Sequence, residues 1–238
     1  MSDTMHSRTR LLIPALALLL FTSCATTKNV QQVAVLESEV GQPRILLMPP
    51  DIRYYLVTAG GVPEPHAAWT EAARENFSGA VHHLARDNST ELSLLGDKDL
   101  TARDIEYIKL HEAVGTMAMV HHFGTTRLPS KEKTFDWSLG PGVLELAEEH
   151  EADYALFVFY RDEQASGGRV AMAVLAAAVG GYMSTGGEYG FASLVDLRSG
   201  DIVWFNIVGA GSGELRDAAG ARAAVNTLFK NFPAGRSQ

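Results

Sequence analysis

The segment Tyr154–Tyr160 constrains the fold more than any other part of the chain. It joins aromatic, leucine and valine residues without a polar break, which is typical of a strand inside a sheet. Two shorter apolar runs, Arg44–Met48 and Glu91–Leu95, are also predicted strands because proline or glycine ends each of them. The sequence thus predicts a domain that contains a sheet.

Segments with helical periodicity lie between these strands and after them. The clearest helix carries apolar residues at every third or fourth position: Trp69, Ala73, Phe77, Val81 and Leu84. Thr101 and Asp104 have the spacing of a capping box, in which each side chain caps the other residue's amide. They open a second predicted helix over 101–120. Two more helices are predicted over 143–149 and 217–232.

The C-terminal half contains a predicted hairpin and an apolar segment. Phe191–Asp196 and Asp201–Phe205 flank Leu197–Gly200, where glycine suits the positive φ of a hairpin turn. Val170–Met183 has 14 small and apolar residues, too few and too rich in glycine for a spanning helix. It is either a buried helix or hairpin, or an exposed surface that meets a partner or a membrane. It does not alternate as a barrel strand does, so it does not predict a pore.

The single cysteine, Cys24, closes an apolar run near the start of the chain. Arg8 and Arg10 precede Leu11–Phe21, and this order is typical of a secretory signal peptide. A cysteine at the cleavage site resembles the signal of bacterial lipoproteins, which implies that Cys24 is lipidated and begins the mature chain. An ordinary signal peptide and an uncleaved membrane helix are the alternatives, and the second is opposed by a run of 11 residues.

These boundaries divide the chain into four parts. We predict a signal peptide over 1–23, a lipidated flexible tether over 24–42, one α/β domain over 43–233 with an apolar insertion near 165–188, and a tail over 234–238. Ala25 follows Cys24. In the enterobacterial lipoproteins that this signal resembles, Asp at that position retains the protein in the inner membrane. The resemblance therefore implies the outer membrane, with the domain facing the periplasm.

The order of the elements predicts an α/β (α+β) sandwich with one mixed sheet of about four or five strands and three or four helices. The segments Arg44–Pro50, Ala152–Val158 and Val195–Trp204 resemble a group of bacterial lipoproteins and envelope proteins. The group has the fold of CsgG and includes the amino-terminal domain of TolB and LpoB-like activators of peptidoglycan synthases. The resemblance covers residues 43–233. It implies a protein that binds partners or builds assemblies, and it provides no catalytic residue.

Charge and cysteine content exclude several functions. The chain has 20 Lys and Arg against 28 Asp and Glu, a net charge of −8, so it has no electrostatic footprint for nucleic acid. Its charge does not attract anionic lipid either, so we expect acyl chains on Cys24 to provide the membrane attachment. With Cys24 lipidated, no thiol remains for a disulfide, a nucleophile or a cysteine-ligated metal.

The histidines, acids and glycines form no recognisable site. The histidines of interest are His82, His83, His111, His121 and His122. Adjacent histidines on a helix point about 100° apart, and no H-E-x-x-H spacing follows His111. Seven acids lack the pattern of a catalytic pair: Asp97, Asp99, Asp104, Glu148, Glu149, Glu151 and Asp153. Gly209–Gly213 matches no P-loop. We therefore predict no catalytic residue, no metal and no cofactor.

Together, these observations predict a non-enzymatic, lipid-anchored accessory or protein-interaction module of the cell envelope. Its expected contacts are the membrane, through the lipid on Cys24, and unidentified envelope proteins. Two alternatives stay open. One is a homo-oligomeric component of a secretion or export assembly similar to CsgG, and the other is an envelope hydrolase whose site the sequence does not locate.

Overall fold

The computed structural model describes residues 28–39, 41–87, 91–131, 133–209 and 213–235. The strands are β1 (Lys28–Gln31), β2 (Val35–Leu36), β3 (Arg44–Leu47), β4 (Asp51–Val57), β5 (Pro63–Pro65), β6 (Glu91–Leu94), β7 (Tyr154–Ala165), β8 (Gly186–Asp196), β9 (Ile202–Gly209) and β10 (Ala234–Gly235). The α-helices are α1 (Ala67–Asp87), α2 (Ala102–Ala118), α3 (Leu144–His150), α4 (Gly167–Ala178) and α5 (Ala218–Leu228).

Within this part of the chain, eight strands form one mixed sheet. The path across it is β1-β9-β8-β7-β3-β6. Strand β7 pairs in parallel with β3 along its first half and with β4 along its second half, and β5 pairs with the outer edge of β4. Strands β2 and β10 make a separate parallel pair.

Helices cover both faces of the sheet. On one face, α1 and α5 pack over a core that includes Phe77, Trp204 and Val225. On the other face, α2 and α3 pack over a second core that includes Phe157 and Phe205. The predicted α/β sandwich with a mixed sheet is therefore confirmed, because the apolar residues of one sheet are buried under two helical layers.

Strand β7 is the centre of this arrangement, and its first nine residues are all buried. It has partner strands on both edges and a helical layer on both faces, so polar side chains are excluded from most of its length. This explains the unbroken apolar run, and the strand predicted over Tyr154–Tyr160 is confirmed.

The sheet is larger than predicted, with eight strands instead of four or five, and the described residues contain five α-helices instead of three or four. Of the additional strands, β1 and β5 lie at edges of the sheet, whereas β4 lies between β7 and β5. Two of the three residues of β5, Pro63 and Pro65, are proline, which is tolerated only at an edge. The edge strands β1 and β5 are short and largely exposed, so they lack the apolar pattern by which a strand is recognised in a sequence.

The predicted flexible tether is corrected by the structure. Residues 28–31 form β1, which pairs antiparallel with β9, and Leu36 is fully buried in the core. Backbone hydrogen bonds to the edge strand β9 hold this segment in place, and Val30, Val33 and Leu36 add apolar contacts with the two cores. At the other end, Ala234–Gly235 of the predicted tail pairs with β2. The signal peptide, Cys24 and the three residues after it lie outside the described residues.

The predicted hairpin is confirmed as β8 and β9, which pair antiparallel. Gly200 closes the turn with a φ of +82°, and a Cβ at this position would overlap the backbone of Gly140. Glycine is therefore required twice over, by the left-handed conformation and by the close approach of a neighbouring loop.

Candidate functional site

Helix α4 and the residues after it form an exposed apolar projection, which we call the apolar tip and define as residues 167–185. It connects the ends of β7 and β8, the two longest strands described. The large exposed apolar side chains of the tip are Val170, Met172, Val174, Leu175, Val179 and Tyr182. Val179 is 86% exposed and Tyr182 is 90% exposed, so the apolar insertion predicted from the sequence is a surface and not a core element.

Local sequence explains why the tip is helical. Ser166 caps the first turn by accepting a hydrogen bond from the backbone amide of Arg169 at 3.2 Å. The alanine-rich interior has a strong helix preference, and the helix is followed by Gly180, whose φ is +81°. At the base, the Arg169 side chain donates to the carbonyl of Ser184 at 2.8 Å and lies beside Gly61 of the β4–β5 turn.

The tip carries no charge over most of its length. From Val170 to Gly187, 18 residues pass without Asp, Glu, Lys or Arg. No residue of α4 is buried, and its least exposed positions, Arg169, Ala173 and Ala176, are only half-buried. Exposed apolar surface of this continuity marks a contact site in soluble domains. None of the described helices combines the length and the apolarity needed to cross a bilayer.

A charged cluster lies on the half of β7 that leads into the apolar tip. The buried guanidinium of Arg161 contacts the carboxylate of Asp51 at 2.9 Å and that of Glu112 at 3.4 Å, and Lys109 lies 3.6 Å from Asp51. Burial raises the pKa of Asp51, but the hydrogen bond and the charge of Arg161, with Arg53 and Lys109, outweigh it and hold that pKa below its usual value. The cluster satisfies its own charges and supports the sheet near the tip.

An open cleft of about 640 Å³ lies between α1 and the Pro49–Pro50 break that separates β3 from β4. Clefts at such strand ends are common ligand sites in α/β folds. Its cation is already engaged, however, because Arg74 donates to Asp97 at 2.6 Å and to the carbonyl of Pro50 at 3.1 Å. The lining also carries the carboxylates of Glu71 and Glu75, so its acids outnumber its one arginine, and that arginine is already paired.

The predicted histidine candidates do not come together in one site. His82 and His83 are on α1, while His121 and His122 are in a π-helical turn after α2. His111 is buried, and its Nε2 is 2.9 Å from the hydroxyl oxygen of Ser193. Burial lowers the pKa of His111 to about 3, which keeps the ring neutral.

The His111–Ser193 pair was not found from the sequence because 82 residues separate its members. It resembles the nucleophile and base of a hydrolase, but it is enclosed. Ser193 is fully buried, and the rings of Phe157 and Phe191 lie 5.0 and 5.2 Å from the imidazole of His111. A substrate cannot reach the hydroxyl without opening the core, so the pair is a satisfied polar contact between α2 and β8.

Several of the acids singled out in the sequence have structural contacts, among them Asp97, Asp104, Glu151 and Asp153. The capping box of Thr101 and Asp104 is confirmed, with both reciprocal hydrogen bonds present. A carboxylate oxygen of Asp104 also lies 3.1 Å from Nε2 of His150. Potential ligand atoms of Asp104, Glu149 and His150 lie within 4.8 Å of one another, a spacing that a metal site could have. Burial raises the pKa of Asp104, but hydrogen bonds from Thr101 and His150 outweigh it and lower that pKa. Each oxygen of this carboxylate thus has a protein donor.

Comparison with known proteins gives similarity in fold only. The chain matches no protein-family model and no curated protein. A solved structure of the PelC dodecamer from Paraburkholderia phytofirmans is similar, with a TM-score of 0.40 and 10% identity over 89% of this chain and 99% of that one. A single-site variant of the same dodecamer gives a TM-score of 0.39 and 11% identity over the same shares. Similarity of this degree carries no conclusion about function.

Proposed function

We propose that this protein is a non-enzymatic, lipid-anchored accessory of the cell envelope that acts by binding through its apolar tip. The observation that carries the proposal is the exposure of the tip. Its helix α4 carries no charge after Arg169 and buries no residue, whereas each of the other described α-helices buries apolar residues. Leaving so much apolar surface in water is unfavourable. A binding surface explains why it is present, whereas a structural role would bury it.

The proposed absence of catalysis is supported by how the reactive groups are held. The pair that most resembles a hydrolase site, His111 and Ser193, is enclosed by aromatic rings. Arg161 and Asp51 neutralise each other at 2.9 Å. These arrangements stabilise the fold and offer a substrate no accessible nucleophile.

The anchor is proposed from the sequence around Cys24, and the outer membrane from Ala25 after it. Labelling cells with palmitate tests this directly. We expect the wild-type protein to be labelled and to sediment with the outer membrane, and we expect Cys24→Ser to be unlabelled. Ser23→Ala is the matched control and should keep the label. Palmitate on the Cys24→Ser protein, or wild-type protein in the soluble fraction, would overturn the anchor.

The binding role is tested by placing a photo-crosslinking amino acid at Leu175 in the tip, with Leu144 of α3 as the matched control. Both are exposed leucines of α-helices. We expect envelope adducts, with lipid or protein, at position 175 and not at 144. Adducts only with other copies of the chain would instead favour the alternative of an oligomeric export component. Equal crosslinking at both positions would show that the tip has no special contact.

A further inference from the structure

The strand register places the apolar tip and the start of β1 at the same end of the sheet. Lys28 pairs with Ile207, Ile207 with Phe191, and Phe191 with Phe159. Strand β7 then continues for six residues beyond Phe159 to Ala165, where the tip begins, a rise of about 20 Å. Because β1 is antiparallel to β9, Lys28 is the residue of β1 that lies nearest the end of the sheet that carries the tip.

The length of chain before β1 limits where the anchor can be. Only residues 25–27 separate Cys24 from Lys28, so the two Cα atoms are at most about 14 Å apart. This covalent limit keeps any lipid on Cys24 close to Lys28, the residue of β1 nearest the tip. A membrane surface that holds a lipid on Cys24 lies within reach of this end of the domain.

The chemistry of the tip suits a lipid surface better than a protein groove. A helix placed in a groove is apolar along one stripe and polar elsewhere, whereas the sides of α4 all carry Val, Met, Leu or Ala. Its 12 residues make a helix of about 18 Å, a length typical of segments that enter a bilayer surface without crossing it. Exposed Tyr182 lies within the charge-free stretch, and exposed Tyr189 follows it after Glu188. Tyrosine is enriched where membranes meet water.

We infer that the apolar tip inserts into the surface of the same bilayer that holds the lipid on Cys24. The inference rests on the proposed function for the lipid anchor. Two attachment points fix the orientation of the domain, because the tip and the anchor together turn this end of the sheet toward the membrane. The turn around Gly200, at the opposite end of β8, then points away from the membrane.

The first test uses protein carrying Cys24→Ser, which isolates the tip from the anchor. Its sedimentation with vesicles of phosphatidylethanolamine and phosphatidylglycerol should fall about tenfold with Leu175→Glu, since one exposed leucine leaves the lipid. Leu144→Glu is the matched control and should bind as its parent does. Circular dichroism checks that both variants fold. Equal sedimentation of the Leu175→Glu variant and its parent would overturn insertion of the tip.

The second test uses the lipidated full chain, in which an introduced cysteine is the only free thiol. An environment-sensitive fluorophore on Leu175→Cys should shift to shorter wavelength in vesicles and be quenched by nitroxide lipids, and the same label on Leu144→Cys should do neither. A shift without quenching would assign the tip to a second copy or another protein and overturn the inference. Maleimide labelling of wild-type Cys24 would overturn the anchor, a failure distinct from loss of vesicle binding by the tip.

Discussion

Acidification should destabilise the folded protein through His111. Burial lowers the pKa of this residue from 6.5 to about 3, so below pH 6.5 the unfolded chain takes up a proton that the folded protein does not. The free energy of unfolding therefore falls as the pH falls from 6.5 toward 3. At pH 5 the contribution from this residue is a loss of about 2 kcal/mol relative to pH 7.5.

Urea unfolding of the unlipidated protein at pH 7.5 and pH 5 measures this loss. His111→Gln keeps a polar side chain near Ser193 but cannot be protonated, so it should remove about 2 kcal/mol of the pH dependence. The matched control His83→Gln changes an exposed histidine on α1 and should retain it. His122, whose pKa is lowered by burial and by the charge of Arg127, contributes equally in both variants. A His111→Gln variant with the wild-type pH dependence would refute this reasoning.

Three further substitutions test the packing by urea unfolding. Gly115→Ala should lower the free energy of unfolding by about 2 kcal/mol, because a Cβ would overlap the ring of Phe191 and overpacking outweighs the helix preference of alanine; an unchanged stability would contradict this close contact. Thr101→Ala should cost about 1 kcal/mol by removing the cap of α2, and Thr101→Ser should restore most of it. Arg161→Met should cost about 3 kcal/mol because it leaves the carboxylate of Asp51 without its main partner, and adding Asp51→Asn should recover part of that loss. An Arg161→Met variant as stable as the wild type would argue against the ion pair between Arg161 and Asp51.

The elements that could be predicted from the sequence are those with a local cause. The centre of β7 is recognised by its composition, the β8–β9 hairpin by Gly200, and the start of α2 by the spacing of Thr101 and Asp104. In each case, residues within a few positions of each other determine the conformation. Strands β1 and β5 were missed because their partners, β9 and β4, provide the stabilisation, and no pattern within a polar or proline-rich edge strand reports it.

The features of the candidate site likewise separate into those that the local sequence predicts and those that only the folded structure shows. The apolar character of residues 170–183 is evident in the sequence, but its exposure is not, since a buried helix and an exposed one can share a composition. The His111–Ser193 contact joins α2 to β8, and only the assembled fold brings these residues together. The position of the tip relative to Lys28 follows from three strand registers in succession, each determined by long-range pairing.

The pairing between the first and last described segments has a consequence for folding. The side chain of Gln32 donates to the carbonyl of Ile202, 170 residues along the chain, and Ala234–Gly235 pairs with Val35–Leu36. Contacts so distant in sequence form slowly, because a large loop must close before they stabilise anything. Strand β2 therefore lacks its partner strand until residues 234–235 are available. A chain exported from its N-terminus would cross the membrane before its fold could close, which suits the passage of an unfolded polypeptide.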